Sequence, residues 1–217
     1  MLNLIIKDVM LLRKTILLGF IYIAVMALAF SGTTGPAMFT AAAFAVAFLL
    51  IQTPCAYDDK SRAEPMLLSL PIRRETVVRA KYASAGLYLL IAVAQYMLLY
   101  GVIQLSGLPL RISGISLESA AGLLAVVVLF ASIFYPIFFR FGYMKTRYIN
   151  VFLFAGFFAG GSALAAVLGG EAWANEVTRT LNSQPEWLLG CGLLGVMLGI
   201  LLISYCFSLR FYKKREF

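Results

Sequence analysis

TILLGFIYIAVMALAFSGTTGPAMFTAAAFAVAFLLIQTPCAY, residues 15–57, carries no charged side chain over 43 consecutive positions. A bilayer core about 30 Å thick needs roughly 20 apolar residues per helix. The run is too long for one crossing and the right length for two. SGTTGP at Ser31–Pro36 supplies the turn between them. The segment reads as a membrane hairpin, with one span near 15–31 and a second near 37–56.

The same rule applied outward gives four more spans. They run from about 82 to 105, stopping at SGLP; from 119 to 139, with Pro136 near its end; from 148 to 170; and from 187 to 209. Composition agrees: 62% of residues are hydrophobic and 13% charged, against about 25% charged in soluble domains. The segments are continuous apolar runs, which excludes an alternating β-barrel pattern. The expected fold is an all-α integral membrane domain of six transmembrane helices over residues 15–217, preceded by residues 1–14. The first span resembles a signal peptide behind Arg13 and Lys14, but the hairpin needs both of its arms, so it is read as retained.

Orientation follows from Lys and Arg. With six spans both ends of the chain share one side. That side holds 16 of the 18 basic residues, and the other only Arg111 and Arg179. The positive-inside rule puts both termini in the cytoplasm. The net charge of +8 then reflects topology and contact with anionic lipid, not nucleic-acid binding. In Met1–Lys14, Leu2, Ile5, Val9 and Leu12 recur at helical spacing. This predicts a helix lying along the inner membrane surface.

Several chemistries are excluded. The chain has no histidine, no phosphate-binding G-x-x-x-x-G-K-[ST] loop, and no charged residue within the expected spans. No metal site is expected. Cys55, Cys191 and Cys206 lie in or at the ends of spans without metal or disulfide spacing. Gln95 and Gln104 on the third span are candidates for a substrate route. The competing and favoured reading is interhelical hydrogen bonding, worth about 0.6 kcal/mol each.

The departure from this apolar plan is YDDKSRAEPMLLSLPIRRETVVRAKY at Tyr57–Tyr82, which holds ten of the 28 charged residues. Asp58, Asp59 or Ser61 suits a helix start, with Glu64 and Pro65 in the first turn and Met66, Leu67 and Leu70 as a short apolar face. Pro71 breaks the chain, and a helix restarts at Arg73 and runs into the third span. A short transverse helix follows. It either docks on a soluble partner or is a surface loop whose charges anchor topology.

This string resembles the first cytoplasmic loop of bacterial type-two permeases of ATP-binding-cassette transporters, and is similar to small six-helix exporters such as the phenol-soluble-modulin permeases. The resemblance rests on Asp58, Asp59, Lys60, Leu67, Leu68, Ser69, Leu70, Pro71, Arg74, Val77, Val78, Lys81 and Tyr82. It implies a bacterial cytoplasmic-membrane permease paired with a second copy or a sister permease. A separate ATPase would bind ATP and Mg, and this chain would carry no cofactor and no catalytic residue. It also implies a coupling helix over about Asp58–Leu70, with Asp58, Asp59, Lys60, Glu64, Leu67, Leu68, Leu70, Pro71 and Arg74 as the ATPase-coupling residues. The absence of intramembrane charge suits an amphiphilic cargo: a peptide, a lipid-like molecule or a hydrophobic drug. Two other classes compete. One is a membrane anchor or immunity-type protein that binds a partner without transport. The other is an ion-coupled transporter, which would be expected to show membrane carboxylates or paired broken helices.

Overall fold

A computed structural model describes residues 2–29, 36–61, 73–106, 114–152, 155–156 and 186–214. Among these residues all regular structure is helical. The elements are α1 (Leu2–Leu11), α2 (Arg13–Ala29), α3 (Pro36–Lys60), α4 (Arg74–Ser106), α5 (Leu117–Phe141) and α6 (Glu186–Lys214). Helix also covers 143–152.

Four helices, α3 to α6, are long and apolar enough to cross a membrane. The pair α1 and α2, bent by 55° at Leu12, makes a fifth if counted as one broken span. The protein is a multi-pass membrane protein. The expected span at 148–170 falls mostly outside the described residues, as does most of the transverse helix expected over about Asp58–Leu70.

The helices α3 to α6 outrun the charge-free windows. At 1.5 Å per residue, the 33 residues of α4 extend about 50 Å, well beyond a hydrocarbon core of about 30 Å. Backbone hydrogen bonding continues past the point where side chains turn charged, because helix is also favoured at the headgroup level. One sequence expectation is corrected by this. Asp58, Asp59 and Lys60 form the last turn of α3 and do not start a loop helix. Ser61 confirms the ending: its Oγ donates back to the Tyr57 carbonyl at 2.7 Å. Arg74, Glu75, Arg79 and Lys81 belong to α4, as expected of a helix that restarts near Arg73 and runs into the third span, and they lie before its charge-free window at 82–105.

Burial ranks the helices. In α3, 67% of the apolar window is buried, against 17% in α6, so α3 is central and α6 peripheral. Small residues explain the position of α3. Ala42, Ala43, Ala45, Val46 and Ala47 are all buried and let neighbours approach closely. Its larger side chains meet α5 through rings: Phe44 and Phe48 lie 5.9 and 5.0 Å from Phe130, which stacks on Phe134 at 5.5 Å. Phe39 meets Tyr96 of α4 edge-on at 4.8 Å.

The ends of α5 are set locally. Ser116 caps its start through a reciprocal pair with Ser119. Gly142 ends it at φ 77°, a conformation costly for other residues, with its N–H bonded to the Phe138 carbonyl at 2.8 Å. Phe130 is fully buried and Leu129, beside it, is 38% exposed. Phe130→Ala should therefore destabilise the detergent-solubilised protein by about 3–5 kcal/mol. Leu129→Ala should shift thermal unfolding far less, which a melting curve of the two variants checks.

Candidate functional site: a charged junction at the ends of the 62–72 segment

Residues 62–72 lie outside the described residues, but both of their flanks are fixed. Asp58 is four residues before the segment, and Arg74 is two residues after it. Each flank is tied to other helices, and the ties are polar.

The near flank enters an ion quartet. Asp58 Oδ1 accepts from Lys7 Nζ at 2.7 Å and Asp58 Oδ2 from Lys81 Nζ at 2.6 Å. Lys81 also donates to Asp8 Oδ2 at 2.9 Å, and Lys7 lies 3.4 Å from Asp8 Oδ1. The four charges come from α1, α3 and α4 and sum to zero. Side-chain exposure is 3% for Asp8, 8% for Asp58 and 9% for Lys81, with Lys7 at 37%. Taking such charges out of water costs several kcal/mol per ion, so they persist only while paired. Depth moderates the cost. Counting 20 residues back from Leu105 places the edge of a core about 30 Å thick near Ala85. Lys81 then sits one turn beyond it. Tyr135 of α5 donates to the Lys81 carbonyl at 3.0 Å and brings a fourth helix to the cluster.

Asp59, next in the chain, takes a different partner. Its Oδ2 accepts from the Met144 backbone N–H at 3.0 Å, a contact that the turn at Gly142 makes available. The far flank is held to α6. Arg74 donates through Nη1 to the carbonyls of Tyr212 and Lys213 at 3.1 and 2.9 Å. These carbonyls lie in the last turn of a helix, where no intrahelical donor remains and a cation meets the negative end of the dipole. Glu75 pairs with Lys213 at 2.7 Å, both groups being well exposed. One turn on, Arg79 donates to the Tyr205 hydroxyl at 3.0 Å. The Tyr82 hydroxyl bonds Ser204 at 2.6 Å and Ser208 at 2.8 Å, and Ser204 donates to the Ser132 carbonyl at 2.7 Å.

Several expected site residues are thereby relocated. Asp58 is 6% exposed and spent on two lysines, so it is not a surface contact for a soluble partner. Arg74 is committed to the end of α6. Lys60 is exposed at the end of α3. Glu64, Leu67, Leu68, Leu70 and Pro71 fall outside the described residues. The two glutamines separate. Nine residues at 100° each put Gln95 and Gln104 on opposite faces of α4. Gln95 is 3% exposed and donates to the Ile16 carbonyl of α2 at 2.7 Å, while Gln104 is exposed. They do not line one route, and Gln95 acts as an interhelical tie.

Sequence reasoning passed over Lys7 and Asp8 as partners and did not pair Lys81. A signal was present: Asp8 is the only acidic residue in positions 1–57. A lone acid in a basic surface helix is a candidate for a specific cation. Among the described residues no group of acidic or cysteine side chains could hold a metal ion.

A comparison with protein-family models matches residues 3–213 to the family described as ABC-2 family transporter protein. No curated protein and no solved structure matches the chain.

Lys81→Met should destabilise the protein by about 3–5 kcal/mol, since it strands two buried carboxylates on one partly exposed lysine. Glu75→Gln should leave the melting temperature unchanged, because solvent screens that exposed pair. Equal melting of both variants would remove the quartet from the account.

Proposed function

The chain belongs to the ABC-2 family of transporter proteins, and on that premise we propose that it is the permease subunit of an ATP-driven exporter. Its charged end lies in the cytoplasm, where a separate ATP-binding-cassette ATPase docks on the 62–72 segment. ATP and Mg bind that ATPase. A second permease, identical or a sister, completes the pathway in a bacterial cytoplasmic membrane. The cargo is an amphiphile.

One observation carries the coupling part of this reading. The two flanks of the segment are tied by ion pairs and hydrogen bonds to α1, α4, α6 and the Met144 turn. A force applied to the segment is therefore delivered to the helix ends together, as an ATP-driven switch between two helix arrangements requires. Within the segment Glu64, Leu67, Leu68 and Leu70 make the ATPase contact. Asp58 and Arg74 anchor its ends from inside. Pro71 stiffens the exit into α4.

Leu67→Asp places a charge in a docked apolar face and should lower cargo-stimulated ATP hydrolysis by about tenfold or more. Glu64→Lys should act in the same direction. Both should leave the melting temperature of the permease alone unchanged. The measurement is ATP turnover by the reconstituted permease–ATPase complex with and without an amphipathic peptide. Full stimulation in both variants would show that the ATPase does not work through this segment.

A further inference from the structure

α6 is the least buried of the spanning helices, and part of its outer surface is concave. An open groove of about 470 Å³ runs along it, lined among the described residues by Leu202, Ile203, Cys206, Phe207 and Arg210. Leu202 is 64%, Ile203 60% and Phe207 48% exposed. The wall is apolar apart from the thiol, and its one charge is a cation at the end nearest the charged junction. No acidic residue is among the lining residues.

The depth of the groove follows from its neighbours. Ser204 and Ser208 both bond the Tyr82 hydroxyl. Tyr82 lies within one turn of the hydrocarbon edge near Ala85, so residues 204–208 of α6 lie at that boundary. The helix runs outward from there, since its last turn meets Arg74. Leu202 and Ile203 therefore face acyl chains. Arg210, about 12 Å farther along the axis, stands among the headgroups, where an apolar stem with a charged tip is suited.

The charge at this end is unspent. Arg210 is exposed and makes no ion pair among the described residues. A second cation stands beside it. Arg140 of α5 lies over Phe141 and Phe211, 5.0 and 5.2 Å from the ring centres. Phe211 stacks on Phe207 of the groove wall. Ring contact uses the face of a guanidinium and leaves the N–H donors at its edge free.

We propose that the groove is a binding site for one anionic phospholipid of the adjoining leaflet. The lipid phosphate meets Arg210, with Arg140 as the second donor, and an acyl chain lies along Leu202, Ile203 and Phe207. An inorganic anion leaves the apolar wall bare, and an uncharged lipid leaves the cations bare. A second copy packed on this face about a parallel two-fold axis sets cation against cation. The site depends on the membrane setting of α6 and not on the transport function proposed above.

Native mass spectrometry of the full-length permease in a neutral detergent counts bound lipid directly. Phosphatidylglycerol should bind about tenfold more tightly than phosphatidylcholine with the same chains. Arg210→Gln should weaken phosphatidylglycerol about tenfold, and Arg210→Lys only about threefold. Arg140→Gln should weaken it about threefold. Ile203→Trp fills the groove, keeps both cations, and should weaken it about fivefold or more. Arg13→Gln removes an exposed cation from α2, which packs on α3 and α4. That change should alter binding by less than about twofold at physiological salt.

Equal losses in Arg13→Gln and Arg210→Gln, or equal affinity for the two lipids, would refute the site and leave only diffuse attraction. Intact phosphatidylglycerol binding in Ile203→Trp would refute the groove, and loss of a dimer mass in the same variant would assign this face to a second copy. Arg210-dependent binding of an amphipathic peptide, with none of phosphatidylglycerol, would overturn the lipid assignment in favour of cargo.

Discussion

Two lysines and two aspartates that leave water together are the constraint on which the charged end of this protein depends. None of Asp8, Asp58 and Lys81 is more than a tenth exposed at its side chain, and each would be costly there alone. Their mutual neutralisation requires α1, the end of α3 and the start of α4 to be in one place. A hydrophobic contact would tolerate sliding. Hydrogen bonds between 2.6 and 2.9 Å fix register, which makes the quartet a positional device more than a source of net stability.

The second polar layer works differently. Arg74 on the last carbonyls of α6, and Tyr82 with Ser204 and Ser208, satisfy groups that a helix end or a membrane interior would otherwise leave unpaired. These contacts involve less charge burial. They bring the peripheral helix α6 under the control of the residues that follow the 62–72 segment. Between them, the two layers link a short polar stretch of chain to a large apolar body.

Much of the fold is legible in the sequence because bilayer thickness turns apolar length into helix number. The apolar run of residues 15–57 is found as α2 and α3, and three of the four later runs as α4, α5 and α6, the run at 148–170 falling mostly outside the described residues. Boundaries were less legible. A helix stops where its backbone bonds stop, not where charge begins, so Asp58 sits inside α3 although it looks like a loop residue. The break at Leu12 leaves almost no mark in the sequence, since the apolar pattern runs on across it.

The candidate site divides along the same line. Sequence alone determined that this is a membrane protein of long helices, that its charge is concentrated around Tyr57–Tyr82, and that it carries no histidine or phosphate loop. All of these depend on composition along the chain and on what hydrocarbon will dissolve. Tertiary structure decided which charges meet. The pairing of Asp8 with Lys81 spans 73 residues, and that of Arg74 with the end of α6 spans 139. No local pattern encodes such partners, because an ion pair is specified by where two helices pack and not by the residues beside it.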